Sequence, residues 1–215
     1  MRVVVLGPPG VGKGTQATRL RQELGVPHVS TGDILREAVQ KGTPLGKRVR
    51  SFVESGKLVP DDLMGELIAE RLAQPDAASG FVLDGFPRTV EQVAILDGVL
   101  AKISAGLDRV LALEAPAAEI VRRLAGRRIC PKCGGVYHIE SRPPASPGVC
   151  DGCGSALVQR PDDEEDVIRE RLKIFEAQTL PLLSVYRERG LLKEVDATRD
   201  ADSVFSALRS ELAAS

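Results

Sequence analysis

Aromatic residues are scarce in this 215-residue chain, with five Phe, two Tyr and no Trp. Charge of one sign is missing as well. Lys and Arg total 29 against 30 Asp and Glu, a formal net charge of -1. Without a basic stripe interleaved with aromatics, the pattern speaks against a dedicated nucleic-acid binder. Long apolar runs are absent, and none approaches the ~20 residues of a membrane span. Met1-Arg2 leads straight into Val3-Val4-Val5-Leu6, and Gly7-Pro8-Pro9-Gly10 ends that run, too early for a signal peptide. Cysteine is limited to four residues, all between positions 130 and 153. The expectation is a cytoplasmic protein with reduced thiols and no membrane partner. With 43% hydrophobic and 27% charged residues, disorder is excluded. At ~150 residues per domain, the length fits one large domain or one domain carrying insertions.

Apolar runs alternate with stretches of helical length. Val3–Leu6, Phe81–Leu83, Val110–Leu113 and Leu191–Val195 predict buried strands, and Val26–Val29 a weaker one. Thr15–Leu24, Asp61–Leu72, Val90–Leu100, Ala117–Leu124 and Val167–Tyr186 predict helices. This alternation calls for right-handed crossovers and a doubly wound, five-stranded parallel α/β sheet. Two stretches break it. Residues 31–60 hold helical patterns interrupted by Gly42, Pro44, Gly46, Gly56 and Pro60. Residues 128–160 hold the four cysteines among many Pro and Gly. Both predict insertions at the carboxyl edge of the sheet, where α/β proteins bind ligands.

The sharpest motif is Gly7-Pro8-Pro9-Gly10-Val11-Gly12-Lys13-Gly14-Thr15, between the first strand and the first helix. That context is the one a P-loop requires. Glycines let successive N–H groups converge on one anion, the helix N-terminus adds partial positive charge, and Lys13 reaches the outer phosphates. Gly14 stands where Ser or Thr usually follows the lysine, and Thr15 comes next. Asp84, at the end of the Phe81–Leu83 run, is placed to hold Mg²⁺ through water, or else to cap the next turn.

Cys130, Cys133, Cys150 and Cys153 form the pattern C-x2-C-x16-C-x2-C, the spacing of a structural zinc site. Four thiolates close the tetrahedron and leave no open position for chemistry. The segment around them has few apolar residues, so metal binding would supply its folding energy. Disulfides or free thiols are the alternatives, and iron in place of zinc stays open.

The P-loop ending Gly-Lys-Gly-Thr resembles the nucleoside monophosphate kinases, adenylate kinases in particular. Ser30-Thr31-Gly32-Asp33-Ile34-Leu35-Arg36, Asp84-Gly85-Phe86-Pro87-Arg88-Thr89, Gly126-Arg127-Arg128 and Arg160-Pro161-Asp162-Asp163 carry the resemblance along the whole chain. It implies a core of residues 1–29, 60–125 and 164–215, an inserted helical monophosphate-binding lobe of 30–59, and a zinc-containing lid of 126–163. It implies ATP on Gly10, Val11, Gly12, Lys13, Gly14, Thr15, Arg123, Arg127 and Arg199. It implies AMP on Thr31, Arg36, Lys57, Val59, Gly85, Arg88, Gln92, Arg160 and Arg171. Lys13, Arg88, Arg127, Arg160 and Arg171 would be catalytic, Asp33 a second contributor to the metal's water shell, and the protein a monomer. ATP, AMP and ADP are the implied partners.

Phosphoryl transfer fits cations without a general base, because the acceptor is already an ionised phosphate oxygen. His28 and His138 are accordingly read as packing or solvent-facing. Asp162-Asp163-Glu164-Glu165 is read as a helix start, with Asp162 and Glu165 in a capping box. Arg122, Arg128 and Arg169 are read as structural. Two rival functions remain: a kinase for another monophosphate, and a P-loop switch whose zinc ribbon binds nucleic acid or protein.

Overall fold

The computed structural model describes residues 1–213; residues 214–215, the last of the expected core segment, lie outside the described residues. β1 (Arg2–Leu6) leads to α1 (Lys13–Leu24), β2 (His28–Ser30), α2 (Thr31–Lys41), α3 (Pro44–Ser55), α4 (Asp61–Leu72), β3 (Phe81–Asp84), α5 (Val90–Lys102), β4 (Arg109–Glu114) and α6 (Ala117–Ala125). A hairpin follows, β5 (Arg127–Ile129) and β6 (Val136–His138), then α7 (Glu165–Ile174), α8 (Leu182–Glu188), β7 (Leu192–Asp196) and α9 (Ala201–Ala213).

The five-stranded sheet has the order β2-β3-β1-β4-β7, and every pairing is parallel. β1 is central because its apolar residues can be buried on both sides. Successive side chains of a strand point to opposite faces. Val4 and Leu6 join Ile68, Leu96 and Tyr186 on one face, while Val3 and Val5 join Leu20, Ile120 and Leu208 on the other. Helices cover both faces, which is the doubly wound arrangement. The chain leaves β1 toward β3 and β2, then crosses back to β4 and β7. The reversal opens a crevice at the carboxyl end of β1.

The segment 31–60 folds as the glycine and proline positions dictate, with one exception. Ser30 and Thr43 cap α2 and α3 through their hydroxyls, Pro44 sits in the first turn of α3, and Gly42 and Gly56 end the two helices in left-handed conformation. Gly46 does not break a helix. It lies inside α3, where a Cβ would come within 2.0 Å of the Ala38 carbonyl oxygen, so it lets α2 and α3 cross closely.

Three expectations need correction. The second strand starts at His28 and not at Val26, because Gly25 ends α1 left-handed and Pro27 has no N–H to give the ladder. The single helix expected over Val167–Tyr186 is interrupted. A π-helical turn, Phe175–Thr179, and Pro181 separate α7 from α8. The capping box is not formed. Pro161–Asp163 is a 3₁₀ turn, Glu164 precedes α7 without a side-chain cap, and Asp162 and Asp163 are buried.

Candidate active site

The loop from Gly7 to Gly12 joins β1 to α1 at the crevice. Gly10 has φ 79°, and a Cβ there would lie 2.5 Å from Leu124 Cγ of α6, so only glycine fits. Gly12 caps α1 with no side chain, which leaves the first N–H groups of the helix open to an anion. Lys13 folds back under the loop, and its Nζ donates to the carbonyls of Gly7 at 2.8 Å and Pro8 at 2.9 Å. Enclosure lowers its pKa to about 8, with Asp84 opposing and Arg88, Arg171 and Arg127 adding repulsion.

Five arginines converge beside this loop. Arg88 is set by the turn after β3. Gly85 has φ 85°, a Cβ there would meet Thr31 Oγ1 at 2.6 Å, and its carbonyl accepts from Arg88 Nε at 2.7 Å. The π-helical turn adds a tie, since Thr179 Oγ1 donates to the Arg88 carbonyl at 2.9 Å. Burial lowers the Arg88 pKa to about 10, with Arg171 next in effect, and burial lowers Arg160 to about 10, with Arg36 next. Arg36 Nη2 lies 2.5 Å from Asp33 Oδ1, and Arg160 Nη2 lies 3.9 Å from the same oxygen. Among the described residues, Arg160 Nε is buried without a hydrogen-bond partner. Such crowding of cations is stable only with counter-charges.

Asp162 and Asp163 are those counter-charges. Arg127 holds Asp163 through two bonds, Nε–Oδ2 at 2.8 Å and Nη2–Oδ1 at 2.6 Å. Arg171 Nη1 donates to the Asp162 carbonyl at 2.8 Å and lies 3.0 Å from its Oδ2. Burial pushes the Asp162 carboxyl up, but Arg171, Arg36, Arg127 and Arg160 outweigh it and hold the group below the usual carboxylate range. The helix-start reading of this acidic run is therefore overturned for Asp162 and Asp163. Their flanking by Arg160 and Arg171 in the sequence was the signal that could have found them. Asp61, Thr179 and Tyr137 were also missed, and no local pattern marks them.

Thr31, Gly85, Arg88, Gln92, Val59 and Lys57 line one cleft, together with Arg36 and Arg171. A second runs along Gly7, Pro9, Lys13, Pro87 and Thr179. Arg88 and Arg171 line both clefts. Thr31 Oγ1 donates to the Asp84 carbonyl at 3.3 Å. Gln92 is buried with both ends of its amide bonded. Its Oε1 accepts from the Arg88 N–H at 2.8 Å, and its Nε2 donates to Asp61 Oδ1 at 2.6 Å. Asp84 directs Oδ2 toward the start of α1, 3.6 Å from where a Gly14 Cβ would stand. His28 Nε2 lies 3.7 Å from the same oxygen.

The remaining candidates sit at the rim. Arg123 bonds Glu119, the Val11 carbonyl at 3.2 Å and the Thr198 carbonyl at 3.4 Å, so it ties α6 to the loop. Arg199 is exposed, 3.8 Å from Asp196. Arg122 pairs with Glu119 and Glu140, Arg169 with Glu165, and Arg128 donates to the carbonyls of Ala125 and Arg127.

The four cysteines are brought together as the spacing requires. They are free thiols, and their sulfurs all lie within 4.8 Å of one another. Cys130–Cys153 and Cys133–Cys150 are each 3.4 Å apart, too long for a disulfide. A tetrahedron with Zn–S bonds of about 2.3 Å needs sulfurs about 3.8 Å apart, so the cluster could hold a metal such as zinc. Tyr137 OH contacts Cys150 Sγ at 3.5 Å and accepts from the Asp151 N–H. His138 braces the base of this segment. Its Nδ1 accepts from the N–H groups of Glu140 and Ser141, and its ring packs against Gly126.

A family model described as adenylate kinase matches residues 5–191. Among curated relatives, an adenylate kinase of Moorella thermoacetica is 50% identical over 208 residues, 97% of this chain and 96% of its own. One of Symbiobacterium thermophilum is 46% identical over the full length of both chains. One of Archaeoglobus fulgidus is 45% identical over 212 residues, 99% of this chain and 98% of its own.

Proposed function

The chain belongs to the adenylate kinase family, and from that premise we propose that it transfers the terminal phosphoryl group of Mg-ATP to AMP, reversibly, giving two ADP. A phosphate oxygen of AMP attacks the γ-phosphorus, the bond to the β-phosphate oxygen breaks, and no proton need move. Positioning and charge stabilisation carry the catalysis. The observation that supports this reading most directly is that Arg88 and Arg171 line both clefts, so one pair of cations borders an acceptor and a donor phosphate.

Among the described residues, 1–29, 60–125 and 164–213 form the core, 30–59 the monophosphate lobe and 126–163 the lid. The N–H groups of Gly10 to Thr15 cradle the ATP phosphates, and Lys13 exchanges the Gly7 and Pro8 carbonyls for phosphate oxygens. Arg36 and Arg88 hold the acceptor phosphate. Arg127, Arg160 and Arg171 gather on the transferred group, leaving Asp162 and Asp163 in part. Arg123 and Arg199 border the donor adenine, and Thr31, Lys57, Val59, Gly85 and Gln92 the acceptor nucleoside. Asp84, a hard oxygen donor facing α1, suits Mg²⁺ held through water. When bound, that ion offsets phosphate charge. Closure of the lid excludes water and so limits ATP hydrolysis. The enzyme is read as cytoplasmic and as a monomer.

The test is purified protein with Mg-ATP and each nucleoside monophosphate in turn, following ADP. AMP is the expected acceptor. No ADP from ATP and AMP overturns the reading, and preference for UMP or CMP would assign another monophosphate. Rapid ATP hydrolysis without acceptor would favour a P-loop switch.

A further inference from the structure

Gln92 is bonded to two groups that each have one fixed hydrogen-bonding role. A backbone N–H only donates, so the Arg88 N–H at 2.8 Å must face the carbonyl oxygen Oε1. The Asp61 carboxylate accepts, so at 2.6 Å it faces Nε2. Both contacts select the same orientation of the amide. Asp61 is itself held, because its second oxygen accepts from Thr89 Oγ1 at 3.2 Å. Thr89 in turn caps α5 by accepting the Gln92 N–H at 3.1 Å. Asp61 is the first residue of α4, and Gln92 lies in the first turn of α5.

The orientation decides what Gln92 offers to the cleft it lines. Nε2 has a second N–H and Oε1 a second lone pair beyond these two bonds, and the two bonds fix which end of the amide is the donor. Adenine presents a complementary pair, an exocyclic N–H donor beside a ring-nitrogen acceptor. A 6-oxopurine such as hypoxanthine presents the reverse at the same positions, a carbonyl acceptor beside a ring N–H donor. Flipping the amide would accommodate it, but a flip would set Nε2 against the Arg88 N–H and Oε1 against the Asp61 carboxylate.

We propose that Asp61 is a specificity-determining positioning residue, which locks the Gln92 amide in the order that accepts a 6-aminopurine monophosphate and rejects a 6-oxopurine one. The inference rests on the reading that AMP is the acceptor in this cleft. Asp61 does not line this cleft and acts on it through Gln92. Without it the Arg88 N–H alone opposes the flip, and discrimination weakens. A site that leaves a polar group unpaired against the wrong base loses on the order of tenfold to a hundredfold in binding.

The experiment compares AMP with IMP, which alters only this edge of the base, using Mg-ATP and full-length protein. The wild type should prefer AMP strongly in kcat/KM. Asp61→Ala should lower the AMP-to-IMP ratio by roughly tenfold or more, mainly through a lower KM for IMP and a higher KM for AMP. Asp61→Asn, whose amide can turn either its carbonyl or its NH2 toward Gln92, should also lower the ratio, though less than Asp61→Ala. If Asp61→Ala does not fold, Asp61→Leu fills the space without an acceptor and is held to the same expectation. An unchanged ratio in the folded variant overturns the proposal, as does a wild type that uses IMP as well as AMP. A wild type that makes no ADP from AMP at all overturns the underlying reading instead.

Discussion

The two segments inserted at the carboxyl edge of the sheet are held in opposite ways. The 30–59 lobe is fastened by apolar packing. Leu35, Val49 and Val59 belong to the main core cluster, with Ile34, Val39, Leu45, Phe52 and Val53 packed against it. The 126–163 segment has a small cluster of its own, Cys130, Tyr137 and Cys150 with Cys153 and Leu157, and four of its aliphatics, Val136, Ile139, Val149 and Val158, are exposed. Its order comes from the thiol cluster at one end and the Arg127–Asp163 clamp at the other. A short segment with too little apolar surface needs a metal or ion pairs where its neighbour needs only leucines and valines.

The largest expected effect breaks the thiol end. Cys130→Ala with Cys133→Ala should abolish metal binding, from about one zinc per chain to none. The energy at stake is that of structural zinc, about 10–16 kcal/mol in isolated zinc-finger peptides. Limited proteolysis should then cut within 130–153 while the core stays intact. Wild-type protein purified without chelator and carrying less than one zinc per chain, or carrying iron, would contradict the zinc assignment.

The clamp end comes next. Asp163 is almost wholly buried, and Asp163→Ala leaves Arg127 without its two hydrogen bonds. Removing one partner of such a pair costs about 3–5 kcal/mol, read as a lower midpoint in urea. A loss within error of zero would mean that the clamp is not structural.

The lobe should ignore chelators and respond to packing. Gly46→Ala sets a methyl against the Ala38 carbonyl and forces α2 from α3, at about 1–3 kcal/mol. A change with no effect on stability would mean that the two helices separate easily.

A pH dependence belongs to the P-loop, and neither attachment should share it. Lys13 has its pKa lowered from 10.5 to about 8. Between those values the unfolded chain binds the proton and the folded chain does not, so this residue adds stability as pH rises through the window. Phosphate affinity should move the other way, because Lys13 loses its charge above about pH 8. Relative to Lys13→Met, the wild type should gain melting temperature and lose ATP affinity over the same range. Parallel pH profiles for the two proteins would refute it.

Much of this molecule was legible in the residues. Near-continuous apolar runs placed the strands, because a strand buried on both faces has no room for polar residues. The glycines of the P-loop and the spacing of the cysteines announced their geometry, since both sites are built from neighbours in the chain. The interruption after α7 was less legible, although Pro181 stood in the expected helix. The role of Asp162 and Asp163 was misread because an acidic run before a helix has an adequate local explanation. The arrival of Arg36 and Arg127 from separate elements completes the set of cations around those carboxylates.

By itself, the sequence determined the family, the doubly wound sheet, the phosphate cradle and the metal-type cluster, each encoded in periodicity or in short-range spacing. Only the tertiary structure decided which cations face which anions, and that Asp61 reaches Gln92 from 31 positions away. Hydrogen bonds and ion pairs act over a few ångströms, and a chain brings distant residues within that range only after its helices have packed on the sheet.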